Sequence, residues 1–155
     1  ELIRDDDTTA ELLERLADWG SKLLVDVIDH IEAGDISAIP QPEDNISYAP
    51  KLTTEEARID WRRPAFAIDR HVRGCTPAPG AWTTLAGDRV KIFPVRIAGD
   101  STLAPGRIST SKNEVRAGTT TTDLVLGDVQ AVGKKRMPAA DWARGTTFDE
   151  QPEFS

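Results

Sequence analysis

The stretch Ala81-Trp82-Thr83-Thr84-Leu85-Ala86-Gly87-Asp88-Arg89-Val90-Lys91-Ile92-Phe93-Pro94-Val95-Arg96-Ile97 is where the pattern of the chain changes from helical to strand-like. Ala81–Leu85 and Arg89–Ile97 read as strands rich in β-branched and aromatic residues, with Gly87-Asp88 as the turn between them. Pro94 has no N–H to give to a ladder, so it marks an edge or a bulge in the second strand. Three more short strands follow, at 106–111, 115–117 and 124–132. Lys112-Asn113 and the threonine run Thr119-Thr120-Thr121-Thr122 supply the turns. A helix precedes this block: Arg63-Pro64 opens it, Phe66, Ile68 and Val72 give it an apolar side, and Gly74 ends it. The stiff turn Thr76-Pro77-Ala78-Pro79-Gly80 then leads into the first strand. A final short helix starts at Met137-Pro138 and reaches about Arg144. Five short strands flanked by short helices predict a mainly β fold, a small OB-like, partly open β-barrel. An open antiparallel sheet fits the same pattern almost as well.

Upstream, Thr8-Thr9-Ala10-Glu11 reads as a capping box, preceded by three aspartates that suit a helix N-terminus. Leu12, Leu13, Leu16, Leu23, Leu24, Val27, Ile28 and Ile31 recur at helical spacing as far as the stop at Gly34, with Gly20-Ser21 as the place for a kink. This helix has one broad apolar face, and nothing in the next twenty residues can cover it. It reads as the last helix of a neighbouring domain. Pro40, Pro42 and Pro50 punctuate an extended linker, and Thr53-Thr54-Glu55-Glu56 is a second capping box. The expected organisation is a terminal helix at 1–33, a linker at 34–56, the β domain at 57–148 and an acidic tail at 149–155.

Charge divides along the chain. Residues 1–65 carry 7 Lys and Arg against 16 Asp and Glu, whereas residues 66–148 carry 12 against 7. The net charge of −7 therefore hides a basic module, and local sign governs the steering of a polyanion. The single Cys75 cannot form an internal disulfide, which points to a reducing compartment and a cytoplasmic protein. No apolar run approaches the ~20 residues of a membrane span. The chain opens on Glu1 rather than Met, and the expectation is of a cut or processed product.

Two pairs of potential metal ligands stand four residues apart, Asp26 with His30 and His71 with Cys75. Neither has an evident third ligand, so a solvated helical face and ordinary packing are the favoured readings, at odds of roughly twenty to one. Asn45-Ile46-Ser47 matches a glycosylation sequon without any sign of secretion.

One further run carries a resemblance: Ile46-Ser47-Tyr48-Ala49-Pro50-Lys51-Leu52, then Glu55-Glu56-Ala57-Arg58-Ile59-Asp60-Trp61. With Arg73, Pro77, Pro79, Trp82, the strand Val90-Lys91-Ile92, Pro105-Gly106 and the Gly133-Lys134-Lys135 run before Met137, it is similar to the C-terminal domain of formyltransferases that use 10-formyltetrahydrofolate. Tyr48-Ala49-Pro50-Lys51 and Gly133-Lys134-Lys135 resemble the methionyl-tRNA branch more than the sugar-nucleotide branch. The chain departs from the family pattern at Thr53 and Thr54, where a further basic residue is common, and in its acidic tail.

The resemblance implies a Rossmann-like catalytic domain before the linker, with an Asn-x-His motif, that transfers a formyl group to methionyl-initiator tRNA. Here Asn45 and Asn113 are the only asparagines, and neither has His two residues on. The chain is therefore expected to hold no catalytic residue, to bind no cofactor itself and to be inactive alone. Its expected partners are initiator methionyl-tRNA and its own catalytic domain, with no membrane. The positions matching the family's basic pattern are Lys51, Arg58, Arg73, Lys91, Lys134 and Lys135, expected to hold RNA phosphates rather than read bases. Arg58 has a competing assignment, an ion pair with Asp60 or Glu55. The alternative function is a structural or dimer-forming domain of a sugar-nucleotide formyltransferase. A free-standing OB-type binding module is a third, disfavoured by the uncovered first helix.

Overall fold

A computed structural model describes all 155 residues, which divide into two compact units, Glu1–Lys51 and Leu52–Ser155. The first holds α1 (Thr9–Ala33). The Thr8 hydroxyl accepts from the Glu11 backbone N–H, and the Glu11 carboxylate accepts from the Thr8 N–H at 2.8 Å, so the capping box is complete. Gly34 closes the helix in the left-handed region at φ 74°. The helix runs through Gly20 without the expected kink, since a single glycine costs only ~1 kcal/mol in a 25-residue helix. No residue of α1 is buried, and Leu13, Trp19, Leu23 and Ile28 are all more than half exposed. Just before it, Asp7 is held by a bidentate pair with Arg15, at 2.5 and 2.6 Å, and by the Arg4 backbone N–H at 2.7 Å. These donors, the Arg15 hydrogen bond foremost, hold the Asp7 carboxyl down at about 2.

The second unit contains α2 (Ala65–Gly74), β1 (Trp82–Leu85), β2 (Asp88–Ile92), β3 (Val95–Ile97), β4 (Ile108–Thr110), β5 (Val115–Ala117), β6 (Leu124–Leu126), β7 (Asp128–Ala131), β8 (Met137–Pro138) and α3 (Ala139–Arg144). It is mainly β with short flanking helices, as the strand pattern predicts. Two four-stranded sheets form, ordered β1-β2-β7-β8 and β3-β6-β5-β4, and every pairing within them is antiparallel. They do not close into a continuous barrel.

Eight strands appear where five were expected: two long ones bend into two each, and Met137–Pro138, read as a helix start, pairs with β7 as β8 before α3 begins at Ala139. The segment 88–97 serves the first sheet as β2 and the second as β3, with the break at Phe93-Pro94, so the proline stands at the bend rather than inside a ladder. The segment 124–131 likewise passes from β6 to β7 through Gly127. At that crossing a Cβ on Gly127 would stand 2.5 Å from the Pro94 carbonyl oxygen, so only glycine lets the two bends lie against each other. The hairpin between β1 and β2 turns on Ala86 and Gly87, both at positive φ, the geometry that matches strand twist.

The core lies between the two sheets and α2. Ile68 and Val72 from α2 join Ile92, Leu124, Val115 and Val129 from the strands, all essentially solvent-free. Each such side chain contributes ~1.5–3 kcal/mol by burial. Trp61 adds a buried hydrogen bond, its Nε1–H donating to Thr83 Oγ1 at 2.9 Å.

Residues 149–155, expected as an acidic tail, are tied into the domain by their last four. Pro152 O accepts from Ile108 N, Phe154 N donates to Gly106 O, and Thr84 and Ser155 exchange backbone hydrogen bonds. The segment thus spans from the β4 edge of one sheet to the β1 edge of the other. Phe154 is buried there, stacked on Trp61 at 5.2 Å and parallel to Trp142 at 6.4 Å.

Gly127→Ala is expected to lower stability by ~1–3 kcal/mol in urea unfolding. Gly99→Ala, at a position where a Cβ meets nothing within 4 Å, is expected to change it little; equal effects would show that the crossing is not tight. For Asp7, the depressed folded-state value means that its contribution is complete above the ordinary 3.8 and is lost as pH falls through about 2. NMR titration of the Asp7 carboxyl is expected to follow that course, and Arg15→Ala to move the midpoint toward the ordinary value. Titration near the ordinary value in the unsubstituted chain would contradict the pairing.

Candidate nucleic-acid interface

In β2, Val90 and Ile92 point into the core, so Arg89 and Lys91 share the opposite, outer face. Strand register adds to that face. Trp82 of β1 stands opposite Lys91, Thr84 opposite Arg89, and Gln130 of β7 opposite Lys91 on the other side. Next to β1 the chain at 57–59 forms a parallel bridge, with Trp82 N–H donating to Ala57 O and Ile59 N–H to Trp82 O. Arg58 is thereby brought beside Trp82 from one flank and Arg89 from the other.

Trp82 is the centre of this arrangement. Its Nε1–H donates to Thr54 O at 2.6 Å, and its ring carries the guanidinium of Arg89 at 3.9 Å and that of Arg58 at 5.4 Å from the centroid. The indole is almost fully covered, and both arginines are exposed. The second capping box fixes the Thr54 end of this link: the Thr53 N–H donates to Glu56 Oε2 at 2.8 Å, and Glu56 N–H donates to Thr53 Oγ1 at 3.2 Å. Asp60 is taken by Arg62 at 2.9 Å, which holds its carboxyl below the usual range. That leaves Arg58 without the ion pair considered for it, and its guanidinium rests on the indole instead.

Lys91 runs across Gly80, whose missing side chain leaves the room, and its Nζ donates to Pro79 O at 3.3 Å. A shallow cavity of about 200 Å³ is lined by Arg89, Lys91, Gln130, Ala131, Val132 and Gly133. The turn that continues from it carries Lys134 and Lys135, both exposed, and Gln130 Nε2 donates to Lys134 O at 3.0 Å. Arg136 turns back to Asp128 at 2.7 Å and lies over Phe93.

Ion pairing distinguishes the cations of the β domain. Arg96, Arg107 and Arg116, from the second sheet or beside it, all meet carboxylates, on Glu114, Glu153, and Asp100 with Glu114 respectively. Arg58, Arg89, Lys91, Lys134 and Lys135 have no carboxylate within 4 Å. Of the six positions singled out in the sequence, Arg58 and Lys91 lie beside Trp82, and Lys134 and Lys135 are exposed in the turn after β7. Arg73 does not join them in character: it is mostly buried on α2 and paired with Asp69 at 3.0 Å. Lys51 belongs to the first unit. Arg89 was not singled out, although its spacing of two from Lys91 in a strand is the signal that places them together.

The other candidates are plainer. His30 Nδ1 meets Asp35 at 2.7 Å, and His71 Nε2 stands 4.0 Å from Cys75 Sγ. Burial pushes the Cys75 thiol up, away from the reactive thiolate. No three His, Cys, Asp or Glu side chains gather as a metal site. No helix is long and apolar enough to cross a membrane.

Residues 51–147 match the family described as formyl transferase, C-terminal domain. The chain is 54% identical over 144 residues to a methionyl-tRNA formyltransferase of Salinispora tropica, covering 92% of this chain and 47% of that protein. It is 52% identical to that of Rhodococcus erythropolis, covering 97% of this chain and 49% of the relative. The chain thus spans about half the length of the curated relatives it matches. Among solved structures, HypX from Aquifex aeolicus in complex with tetrahydrofolic acid superposes with a TM-score of 0.74 at 20% identity, over 92% of this chain and 26% of that one. At that identity the likeness is one of fold.

Proposed function

The chain belongs to the formyl transferase C-terminal domain family, and on that footing we propose that it is the RNA-holding part of a cytoplasmic methionyl-tRNA formyltransferase. The carrying observation is the set of cations that meet no carboxylate. Arg96, Arg107, Arg116 and Arg136 are spent on carboxylates, while Arg58 and Lys91 beside Trp82, and Lys134 and Lys135 in the turn after β7, have none. Unpaired cations on a rigid sheet can exchange the counterions of an RNA backbone for themselves, with little regard to base identity. Trp61 and Trp82 are both covered, so the face offers charge rather than a platform for stacking bases.

The chemistry belongs to the portion of the relatives outside this span. Formyl transfer from 10-formyltetrahydrofolate to the amine of methionyl-initiator tRNA needs a nucleophile brought to a donor. This chain's part is to fix where the acceptor end of the RNA arrives, a positioning contribution. The uncovered apolar face of α1 suits docking onto that preceding Rossmann-like domain, whose last helix it would be, with the linker after it setting the reach to the β domain. Lys51, in the linker, would supply a further cation for RNA phosphate. Arg73, paired and mostly buried, would shape the domain rather than meet phosphate.

The 155-residue chain is expected to bind initiator tRNA weakly and with steep salt dependence in fluorescence anisotropy. Replacing Lys134 and Lys135 together with alanine is expected to lower affinity for all tRNAs alike by roughly tenfold and to flatten the slope of log affinity against log salt by roughly 1–2. Salt-independent binding, or none, would sink this reading and favour a domain that serves a sugar-nucleotide formyltransferase.

A further inference from the structure

Arg89 is an exposed cation of the first sheet whose geometry is set by a ring while its N–H groups stay free. Its guanidinium lies 3.9 Å from the centroid of the Trp82 ring, and it makes no ion pair and no hydrogen bond, so all five of its N–H donors are unspent. Lys91 is two residues along the same strand and on the same face, a step of ~7 Å. It gives one hydrogen bond to Pro79 O and keeps two donors. Both line the shallow cavity of about 200 Å³, together with Gln130, Ala131, Val132 and Gly133. The Gln130 amide donates to Lys134 O, which ties this lining residue to the turn after β7.

We propose that Arg89 and Lys91 form a seat for a backbone phosphodiester on the outer face of the first sheet, with Trp82 as the positioning residue that holds the Arg89 guanidinium in place. The assignment rests on the RNA-holding reading above and adds to it a residue and a mechanism. An arginine free in solvent loses rotamer freedom when it grips an anion, whereas a stacked guanidinium has surrendered much of that freedom beforehand. Its planar fork can then offer two parallel N–H donors to two phosphate oxygens, which an ammonium cannot do. Trp82 is itself immobilised by its hydrogen bond to Thr54 O and by burial, so the platform does not move with its load. Arg58, over the same ring, places a second cation on the opposite flank of β1 from β2.

The test measures binding of deacylated initiator tRNA to the 155-residue chain across a salt series. Arg89→Ala is expected to weaken binding about tenfold and to reduce the salt slope by about 0.9, the share of one phosphate contact. Arg89→Lys is expected to restore the slope but recover only part of the affinity, because charge returns without the fork or the stack. Arg96→Ala, which removes an arginine already paired with Glu114, serves as the comparator and is expected to leave the slope unchanged. Trp82→Phe is expected to weaken binding in the parent chain and much less when Arg89 is already alanine, a coupling that a purely structural tryptophan would not show. If the parent chain binds with steep salt dependence while Arg89→Ala matches Arg96→Ala, the seat is wrong and the RNA-holding reading survives. Full recovery by lysine, or no coupling to Trp82, overturns the role given to the stack. No salt-sensitive binding by the parent chain overturns both.

Discussion

Phe154 sits where the two sheets would otherwise part, and the β domain depends on what it does there. The strand edges β1 and β4 face a gap that no ladder closes. Residues 152–155 cross it, bonding to Ile108 and Gly106 at one end and Thr84 at the other. The phenylalanine fills the space beneath, against Trp61 and Trp142. Such ring pairs are worth ~0.5–1.5 kcal/mol beyond the area they bury. More than that sum is at stake, because Trp61 also holds Thr83 and through it the first strand of the sheet that carries the basic face.

That face is a product of what surrounds it as much as of its own residues. A guanidinium beside a carboxylate attracts an RNA phosphate weakly, since its field is already answered. Several of the domain's acidic side chains are occupied: Glu114 takes Arg96 and Arg116, Asp60 takes Arg62, and Asp128 takes Arg136. The residual positive field is then gathered around Trp82 and the turn after β7. A chain acidic overall thus carries a locally basic segment, with 12 Lys and Arg against 7 Asp and Glu over residues 66–148.

Much of this was legible in the sequence, and the exceptions have physical reasons. Capping boxes at Thr8 and Thr53, the turn after β1 and the helix closed at Gly34 are local, and local chemistry determines them. The bends at Pro94 and Gly127 are not local. Each exists because another segment presses on it, and alternation alone reads each as one straight strand. Phe154 was hidden among acids, although one aromatic in such a tail is itself a sign of docking. Arg58 had two plausible carboxylates nearby, and only the geometry shows Arg62 taking Asp60 and the indole taking Arg58. Arg73 could have been discounted from its spacing of four from Asp69, a pairing that helices favour.

The two bent strands have a mechanical consequence. Because 88–97 and 124–131 each run through both sheets, the sheets share covalent backbone and not only side-chain packing. A tug exerted by a bulky macromolecule on one layer is carried along peptide bonds into the other, with Gly127 pressed on Pro94 as the point that resists shear. Such a domain yields as a single body, its two layers deforming together rather than sliding apart.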